Sequence, residues 1–432
     1  MLRPSPSRLL LLLPSATYRA AAFVEAARRV GTELTVASER PSTFQDANPA
    51  GLLTLDLSHP DRAVDQARAF ARVHPLQGVV GVDDDTAVVA AAIAGALGLR
   101  GNPVVAARAA RDKYEQRTLL AAAGVPVPRF TRHRLDGDPS RVAQLTHFPC
   151  VLKPLRLSAS RGVIRADTPE EFIAAFGRVK KILEPPGCEM RDAGDDETDA
   201  SRMILVEEFV PGDEYALEGL LTSGELRVLA LFDKPDPLDG PYFEETIYVT
   251  PSRLPQRAQQ TMAACAQRAV TALGLREGPV HAELRYNQQG PWLIELAARP
   301  IGGRCSAALR FGTGGSGLAA GAGAGASLEE IVIRHALGMR LPTLEREACA
   351  SGVMMIPVPG AGVLREVRGV EAARAVPLVT DVAITAHGET LVPWPEGSRY
   401  PGFVFARGET PAAVEAALRA AHRELEFVLD GA

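Results

Sequence analysis

Acidic residues stand on two neighbouring apolar segments in the middle of the chain, with His281 and Glu283 in one and Glu295 and Arg299 in the other. Both segments have the composition of β-strands, in which residues i and i+2 share one face. We therefore expect His281 and Glu283 to point the same way, and Glu295 to share a face with Ala297 and Arg299. Two carboxylates facing one cavity repel each other unless a cation lies between them, and Mg²⁺ on ATP phosphates would supply it. Arg299 on that face is suited to a transferring phosphoryl group.

Two lysines precede these acids. Lys113 opens a predicted helix, and Lys153 lies on the apolar stretch 150–155. A lysine on an apolar strand is costly unless it meets an anion. The segment 157–163 is small and rich in hydroxyl groups, so its backbone N–H groups can close over phosphates. We expect this loop to be mobile until phosphate supplies partners for those N–H groups. The alternative for Lys153 is a solvated head on a buried stem.

A strand, a short linker and a second strand occupy residues 205–215, with acids at both ends. Such a linker can pair its backbone with an adenine edge while an acid binds the ribose hydroxyls. Taken singly, Glu207 and Glu208 would be typical of a surface edge, and Glu283 and Glu295 of a structural pair with arginines. The order and spacing of all these segments together favour a nucleotide site.

The N-terminal part alternates strands and helices over residues 8–110, which is typical of a doubly wound α/β unit. The apolar run 9–13 suits a parallel strand covered on both faces, and it is short for a signal peptide. Pro14 and Ser15 follow it in place of a Gly-rich turn, so the dinucleotide fingerprint is missing. We expect a Rossmann-like unit without NAD.

The rest of the chain predicts an α+β arrangement, with closely spaced strands over residues 111–310 and helices on one side. Residues 191–201 are acidic and predict a solvated loop. The tract 312–326 contains a formal GxGxxG match, but its low complexity favours a flexible loop. Ser327 is expected to cap a helix. Short strands from residue 350 and a last helix over 411–429 predict a small α+β closing region.

Composition excludes several classes of protein. The 432 residues allow two or three domains, and the net charge of −5 without a Lys/Arg block argues against a nucleic-acid partner. No apolar run approaches the ~20 residues that span a bilayer. The five cysteines are far apart and lack zinc-ligand spacing, which indicates reduced thiols and a cytoplasmic location.

Together these segments resemble the ATP-grasp superfamily over roughly residues 8–340. Within it, the stretch 295–299 and the C-terminal region, including 352–357, resemble bacterial L-amino-acid ligases, which form dipeptides. The resemblance implies a pre-ATP-grasp Rossmann-like domain over residues 1–110, an ATP-grasp domain of two α+β subdomains over 111–340, and a C-terminal α+β domain over 341–432. It implies a ligase that joins a carboxylate to an amine through an acyl phosphate and releases ADP and phosphate.

The resemblance also implies a role for each matching residue. Catalysis would rest on Arg299 and Lys153, and two acids, Glu283 and Glu295, would bind Mg²⁺, for which Mn²⁺ can substitute. ATP would be held by Lys113, Lys153, Ser158, Ser160, Gly162, Glu207, Phe209, Val210 and Glu214. The substrates would meet Glu245, His281, Arg299, Gly302 and Gly303, with Glu245 pairing with an ammonium group. The alternative for Glu245 is an exposed loop acid beside Glu244.

Two departures from the family pattern leave the substrates and the number of metal ions open. Ala297 stands where many ATP-grasp enzymes have a metal-binding Asn, and Tyr248 stands where the ligases commonly have a His. The expected partners are small carboxylates and amines, amino acids in particular, and a homodimer is compatible with the sequence. The alternatives are a glycinamide-ribonucleotide-synthetase-like or carboxylase-like enzyme and, from a different class, an ATP-binding regulator without catalysis.

Overall fold

The computed structural model describes residues 7–14, 17–184, 200–312 and 325–430. The predicted acidic loop at 191–201 and the low-complexity tract at 312–326 lie almost entirely outside the described residues. Among the described helices, none is long and apolar enough to cross a membrane.

A four-stranded parallel sheet opens the chain, with strand order β3-β2-β1-β4. Its elements are β1 (Arg8–Leu12), α1 (Ala20–Val30), β2 (Glu33–Ser38), β3 (Leu52–Thr54), α2 (Pro60–Val73), β4 (Gly78–Gly81) and α3 (Asp84–Leu97). Leu9 and Leu11 belong to the same buried cluster as residues of α1, whereas Leu10 and Leu12 cluster with α2 and α3. Because β1 is covered on both faces, its apolar run is continuous, which confirms the predicted doubly wound unit.

A second sheet, antiparallel in the order β5-β8-β6-β7, follows two linking helices. Its elements, including the linking helices, are α4 (Val104–Arg111), α5 (Lys113–Ala122), β5 (Phe130–Arg134), α6 (Pro139–Leu145), β6 (Cys150–Pro154), β7 (Ile164–Ala166), α7 (Pro169–Leu183) and β8 (Met203–Glu208). Phe172 and Phe176 of α7 pack on the sheet beside Leu152 and Val206. The helices therefore cover one face, as the sequence predicts.

The largest sheet has eight strands in the order β13-β12-β9-β10-β11-β14-β18-β16, and each neighbouring pair is antiparallel. Its first part consists of β9 (Asp213–Thr222), β10 (Glu225–Asp233), β11 (Ile247–Thr250), α8 (Gln256–Leu273), β12 (Gly278–Asn287) and β13 (Gly290–Ala297). Ser223 and Gly224 both have positive φ, so they form the tight turn that divides the predicted β-rich stretch 214–232 into two strands.

The C-terminal region joins this same sheet, because β14 pairs with β11. A 3₁₀ turn (Cys305–Ala308) and α9 (Leu328–Ala336) come before this region. Its own elements are β14 (Ala350–Met355), β15 (Gly362–Arg368), α10 (Val370–Ala375), β16 (Val379–Ile384), β17 (Thr390–Leu391), β18 (Gly402–Gly408), α11 (Pro411–Arg423) and β19 (Glu426–Asp430). Strands β17, β15 and β19 form a small separate sheet. The described residues from β14 to β19 thus mix helices and strands, and part of them extends the central sheet.

Two expectations about helix ends have opposite outcomes. Ser327 caps α9 and forms a capping box with Glu330, as the sequence predicts. The predicted helix over 411–429 is wrong at its C-terminal end, because α11 stops at Arg423 and the following residues form β19. Strand β19 belongs to the small sheet, and its Phe427 and Leu429 pack against the cluster that contains Leu364. Tertiary burial therefore decides the structure of this segment.

Candidate active site

A cavity lies between the second sheet and the β12–β13 end of the central sheet. Residues from both sheets and from α5 line it. Nine of the residues that the sequence singles out are among them: Lys113, Lys153, Ser160, Glu207, Phe209, Val210, Glu214, Glu283 and Glu295. The fold therefore assembles one site from segments that lie up to 182 positions apart, from 113 to 295, in the sequence.

Apolar side chains line part of this cavity, including Val151, Val163 and Phe243. The linker after β8 crosses it. The Phe209 N–H donates to the Pro149 carbonyl across 3.0 Å, and the Val210 carbonyl accepts from Arg285 Nη1 at 2.8 Å. Within the described part of the chain, no hydrogen bond engages the Phe209 carbonyl or the Val210 N–H. One acceptor and one donor thus remain for a planar base.

Lys153 meets a protein anion in this structure. Its Nζ lies 2.6 Å from Oε2 of Glu207, whose Oε1 accepts from Arg117 Nε at 2.5 Å. Burial opposes the ionisation of Glu207, but the charges of Arg117 and Lys153 prevail and lower the pKa of its carboxyl. Both oxygens of Glu207 are engaged by Lys153 and Arg117. The carboxylate therefore orients Lys153 and offers no free acceptor to a nucleobase.

The two acids predicted to bind metal face each other. Glu283 on β12 pairs in register with Glu295 on β13. Each has a different lysine nearby: Glu283 Oε1 lies 3.4 Å from Lys234 Nζ, and Glu295 Oε1 lies 3.3 Å from Lys113 Nζ. Burial opposes ionisation of Glu283, yet the Lys234 and His281 charges hold the pKa of its carboxyl well below its usual range. Charged carboxylate oxygens are the donors that Mg²⁺ prefers.

Lys234 is a buried cation of the site that the sequence analysis did not name. Its Nζ lies 2.7 Å from Glu214 and 2.5 Å from Glu245. Oxygens of Glu214, Glu245 and Glu283 all lie within 4.8 Å of one another, so the three acids surround this lysine. The signal was available, because Lys234 follows an apolar strand just as Lys153 lies on one. The cost of burying an unpaired amine applies equally to both.

Glu245 belongs to this acidic group, and only 16% of its side chain is exposed. The alternative of a surface loop acid is therefore wrong. Its Oε1 accepts hydrogen bonds from Lys234 and from the Tyr248 hydroxyl, the latter at 2.8 Å. Burial and the nearby Glu283 charge raise the pKa of Glu245 to about 7. Glu214 meets a second cation as well, since its Oε2 accepts from Arg285 Nε at 3.1 Å.

Arg299 lies where the N-terminal unit meets the central sheet. Its Nε donates to Oδ2 of Asp84, at the start of α3, across 2.8 Å. Burial disfavours the charge on Arg299, but Asp84 outweighs it and raises the pKa of the guanidinium. Asp84 was not predicted, because its partner is 215 residues away in sequence.

His281 stands between two acids on the face that the strand period predicts. Its Nδ1 lies 3.4 Å from Glu218, and its Nε2 lies 3.5 Å from Glu283. Burial opposes protonation of His281, but these two acids prevail and raise its pKa. Glu218 also accepts from the Ile301 N–H, which fixes the start of the loop that carries Gly302 and Gly303.

The C-terminal region holds the predicted phosphate loop, residues 158–162. We call residues 394–396 the latch segment. Trp394 Nε1 donates to the Ala159 carbonyl and the Gly162 N–H donates to the Pro395 carbonyl, each at 2.8 Å. Glu396 also accepts from Arg178 of α7 through both oxygens, at 2.6 and 2.8 Å. The expectation that the N–H groups of this loop lack partners is thus wrong for Gly162, whose partner comes from a distant segment. Ser158 and Gly162 lie outside the cavity wall that Ser160 lines.

Family comparisons match three successive parts of the chain. The ATP-grasp N-terminal domain matches residues 24–101, the ATP-grasp domain matches 146–308, and the L-amino acid ligase C-terminal domain 2 matches 354–430. The curated alanine–anticapsin ligase of Bacillus subtilis is 31% identical over 222 residues, which is 48% of this chain and 44% of that protein. This chain therefore spans less than half the length of that relative.

Solved structures agree over nearly the whole chain. The L-amino acid ligase from Bacillus licheniformis has a TM-score of 0.73 at 24% identity, covering 98% of this chain and 99% of that one. Carboxyaminoimidazole ribonucleotide synthase from Aspergillus clavatus, complexed with ATP, has a TM-score of 0.71 at 16% identity, covering 97% and 98%. At these identities the likeness shows the fold. The chain thus has the ATP-grasp fold, and its residues 354–430 match the L-amino acid ligase C-terminal domain 2.

Proposed function

We propose that the protein is an ATP-dependent carboxylate–amine ligase that joins amino acids by an amide bond and releases ADP and phosphate. The observation that carries this proposal is the arrangement around one cavity: two lysines, two opposed carboxylates and a partly apolar wall. The alanine–anticapsin ligase similarity supports an amino-acid substrate.

ATP fits this cavity with its adenine against the apolar wall. The Phe209 carbonyl and the Val210 N–H supply the acceptor and donor that an adenine edge requires. Lys113 and Lys153 then meet the phosphates, and the loop at 158–162 covers them. Glu283 and Glu295 fit Mg²⁺, which neutralises phosphate charge when bound. Glu214 is placed for the ribose hydroxyls, although Lys234 and Arg285 already engage it.

The donor carboxylate oxygen attacks the γ-phosphorus of ATP, and the bond from that phosphorus to the ADP oxygen breaks. Arg299 stabilises the charge on the transferred group, and the N–H groups of Gly302 and Gly303 stabilise the tetrahedral intermediate that follows. The amine nitrogen attacks the acyl carbon, loses a proton, and phosphate leaves as the C–O bond breaks. The latched loop excludes water, which would hydrolyse the acyl phosphate.

The donor's ammonium group pairs with Glu245 in this proposal. Lys234 already holds that carboxylate, so the ammonium must share it. The Tyr248 hydroxyl donates a hydrogen bond to the Glu245 carboxylate and so fixes its orientation.

The test is release of ADP and phosphate from ATP and Mg²⁺ with pairs of the common L-amino acids, with the product identified by mass spectrometry. A matched amide product in amounts equal to ADP supports the proposal. ATP binding without turnover for any pair would instead indicate a regulator, and turnover with bicarbonate but not with a second amino acid would indicate a carboxylase. Cytoplasmic location and a homodimer stay predictions.

A further inference from the structure

Arg19 is a cation beside the candidate active site that the proposed reaction does not yet use. It directly precedes α1 and donates a hydrogen bond to the Val82 carbonyl at the end of the first sheet. Its Nη2 would lie 3.8 Å from a Cβ placed on Gly302, so the guanidinium faces the loop that follows Arg299. Asp83, Glu218 and Asp84 attract Arg19 at longer range, and within the described residues none of them forms an ion pair with it.

The acids around Arg19 are engaged by other groups. Arg299 lies near enough to repel Arg19, Asp83 caps α3 by accepting from the Thr86 N–H, and Asp84 is paired with Arg299. Glu218 is fully buried, so burial raises the pKa of its carboxyl, and it accepts from the Ile301 N–H. Burial and the Arg299 charge lower the pKa of Arg19 to about 10. Two guanidinium groups in a partly buried site indicate that an anion belongs between them.

Arg299 already serves the transferred phosphoryl group in the proposed reaction, so we assign a different anion to Arg19. The donor carboxylate is the reacting group and lies at Arg299 in the proposed mechanism. In a reaction that joins two amino acids, the remaining anion is the carboxylate of the acceptor, whose amine must reach the acyl carbon next to the Gly302 loop.

We propose that Arg19 binds the carboxylate of the amine substrate, so that the acceptor is an amino acid rather than an uncharged amine. This inference rests on the proposed ligase function. It names the residue that would recognise the carboxylate of the acceptor amino acid. It also assigns the N-terminal unit a direct part in substrate selection, because Arg19 lies outside the matched ATP-grasp domain.

The experiment compares an acceptor amino acid with its primary amide, using a pair that the wild-type protein ligates. A charge-assisted hydrogen bond contributes about 1.5–3 kcal/mol, which corresponds to about 10- to 100-fold in kcat/KM. We expect Arg19→Met to lower kcat/KM for the acid by this factor and to leave the amide nearly unchanged. Arg19→Lys should restore part of the preference, while the KM values for ATP and donor stay constant. Arg28→Met is the matched control, because Arg28 lies on the exposed face of α1 and forms its ion pair with Glu25 on the same helix.

Two results would overturn the inference. An unchanged ratio of acid to amide in a folded Arg19→Met protein removes the contact, and a rise in the donor KM alone assigns Arg19 to the donor instead. The thermal midpoint shows whether each variant is folded. If the wild-type protein ligates no pair of amino acids, the proposed function fails. The Arg19 contact is then tested by the effect of amino acids and their amides on the thermal midpoint. Amino acids should raise the thermal midpoint more than their amides do, and Arg19→Met should abolish that difference; equal shifts in both proteins refute the contact.

Discussion

The indole nitrogen of Trp394 donates a hydrogen bond to the Ala159 carbonyl, 2.8 Å away and 235 residues earlier in the chain. Together with the Gly162–Pro395 hydrogen bond and the Arg178–Glu396 ion pair, it joins the C-terminal region to the loop that would cover the ATP phosphates. Ala159 and Ser160 both have φ near +55°, a left-handed conformation that costs free energy in non-glycine residues. The latch segment therefore helps to hold the loop in a conformation that its own sequence disfavours.

Trp394→Phe should weaken closure over the nucleotide. The substitution keeps most of the ring packing and removes one hydrogen bond, whose net value is about 0.5–1.5 kcal/mol. We expect the KM for ATP to rise about 2- to 12-fold, with faster amide hydrogen exchange at residues 158–162. Val392→Ala is the control, since that side chain is exposed on the same connection. Unchanged exchange in the Trp394 variant would show that the latch does not hold the loop.

Much of the site follows from local sequence patterns, and the rest depends on contacts between distant segments. Strand periodicity places His281 and Glu283 on one face, and the register confirms that Glu283 stands opposite Glu295. The pattern could not assign partners, because Asp84 reaches Arg299 from another sheet. Lys234 was predictable in kind, as a lysine next to an apolar strand, but its three acids come from β9, β12 and the segment before β11.

The C-terminal region shows the same limit at the level of the fold. Short strands follow residue 350 as expected, yet nothing in the sequence indicates that β14 pairs with β11 and so extends the central sheet. The end of α11 was mispredicted for a related reason. Phe427 and Leu429 continue an apolar pattern, but pairing of β19 with β15 decides their conformation.

Glu295→Gln should abolish most ligation while leaving the fold intact. It removes one of the two opposed carboxylates, and Ala297 offers no oxygen on that face. It also frees Lys113 from its ion pair, which should preserve or strengthen phosphate binding. We expect kcat to fall at least about 100-fold at ordinary Mg²⁺, whereas nucleotide still binds. Glu225→Gln, at an exposed strand end, is the matched control. Near-normal turnover in the Glu295 variant would exclude that residue from the metal site.

Glu245→Gln should raise the KM for the donor amino acid and leave the KM for the other substrates nearly unchanged. The variant keeps the shape of the side chain and its contact with Tyr248 but removes the charge that would meet the donor ammonium. Breaking one side of a buried ion pair typically costs a few kcal/mol, so the KM for the donor should rise about 100-fold or more. The KM for ATP should change little, because Lys234 retains Glu214 and Glu283. Steady-state kinetics with each substrate varied in turn would measure this. KM values equal to those of the wild-type protein for every amino acid would show that Glu245 binds Lys234 and Tyr248 and not the donor.

Stability should fall at mildly acidic pH because of His335, which lies buried on α9 where the first sheet meets the central sheet. Its Nε2 lies 3.1 Å from the Thr222 hydroxyl oxygen and 3.4 Å from Glu277, and Arg100 is nearby. Burial and the Arg100 charge lower the pKa of His335 from its ordinary 6.5 to about 4. Protonation therefore favours the unfolded chain, so the contribution of His335 is complete above about pH 6.5 and is lost as the pH falls toward 4. His335→Gln does not titrate, and its amide can take the place of Nε2 beside the Thr222 hydroxyl. Between about pH 7.5 and pH 5, the thermal midpoint of the wild-type protein should fall further than that of the variant. Parallel decreases in the two proteins would show that His335 does not contribute to the acid sensitivity.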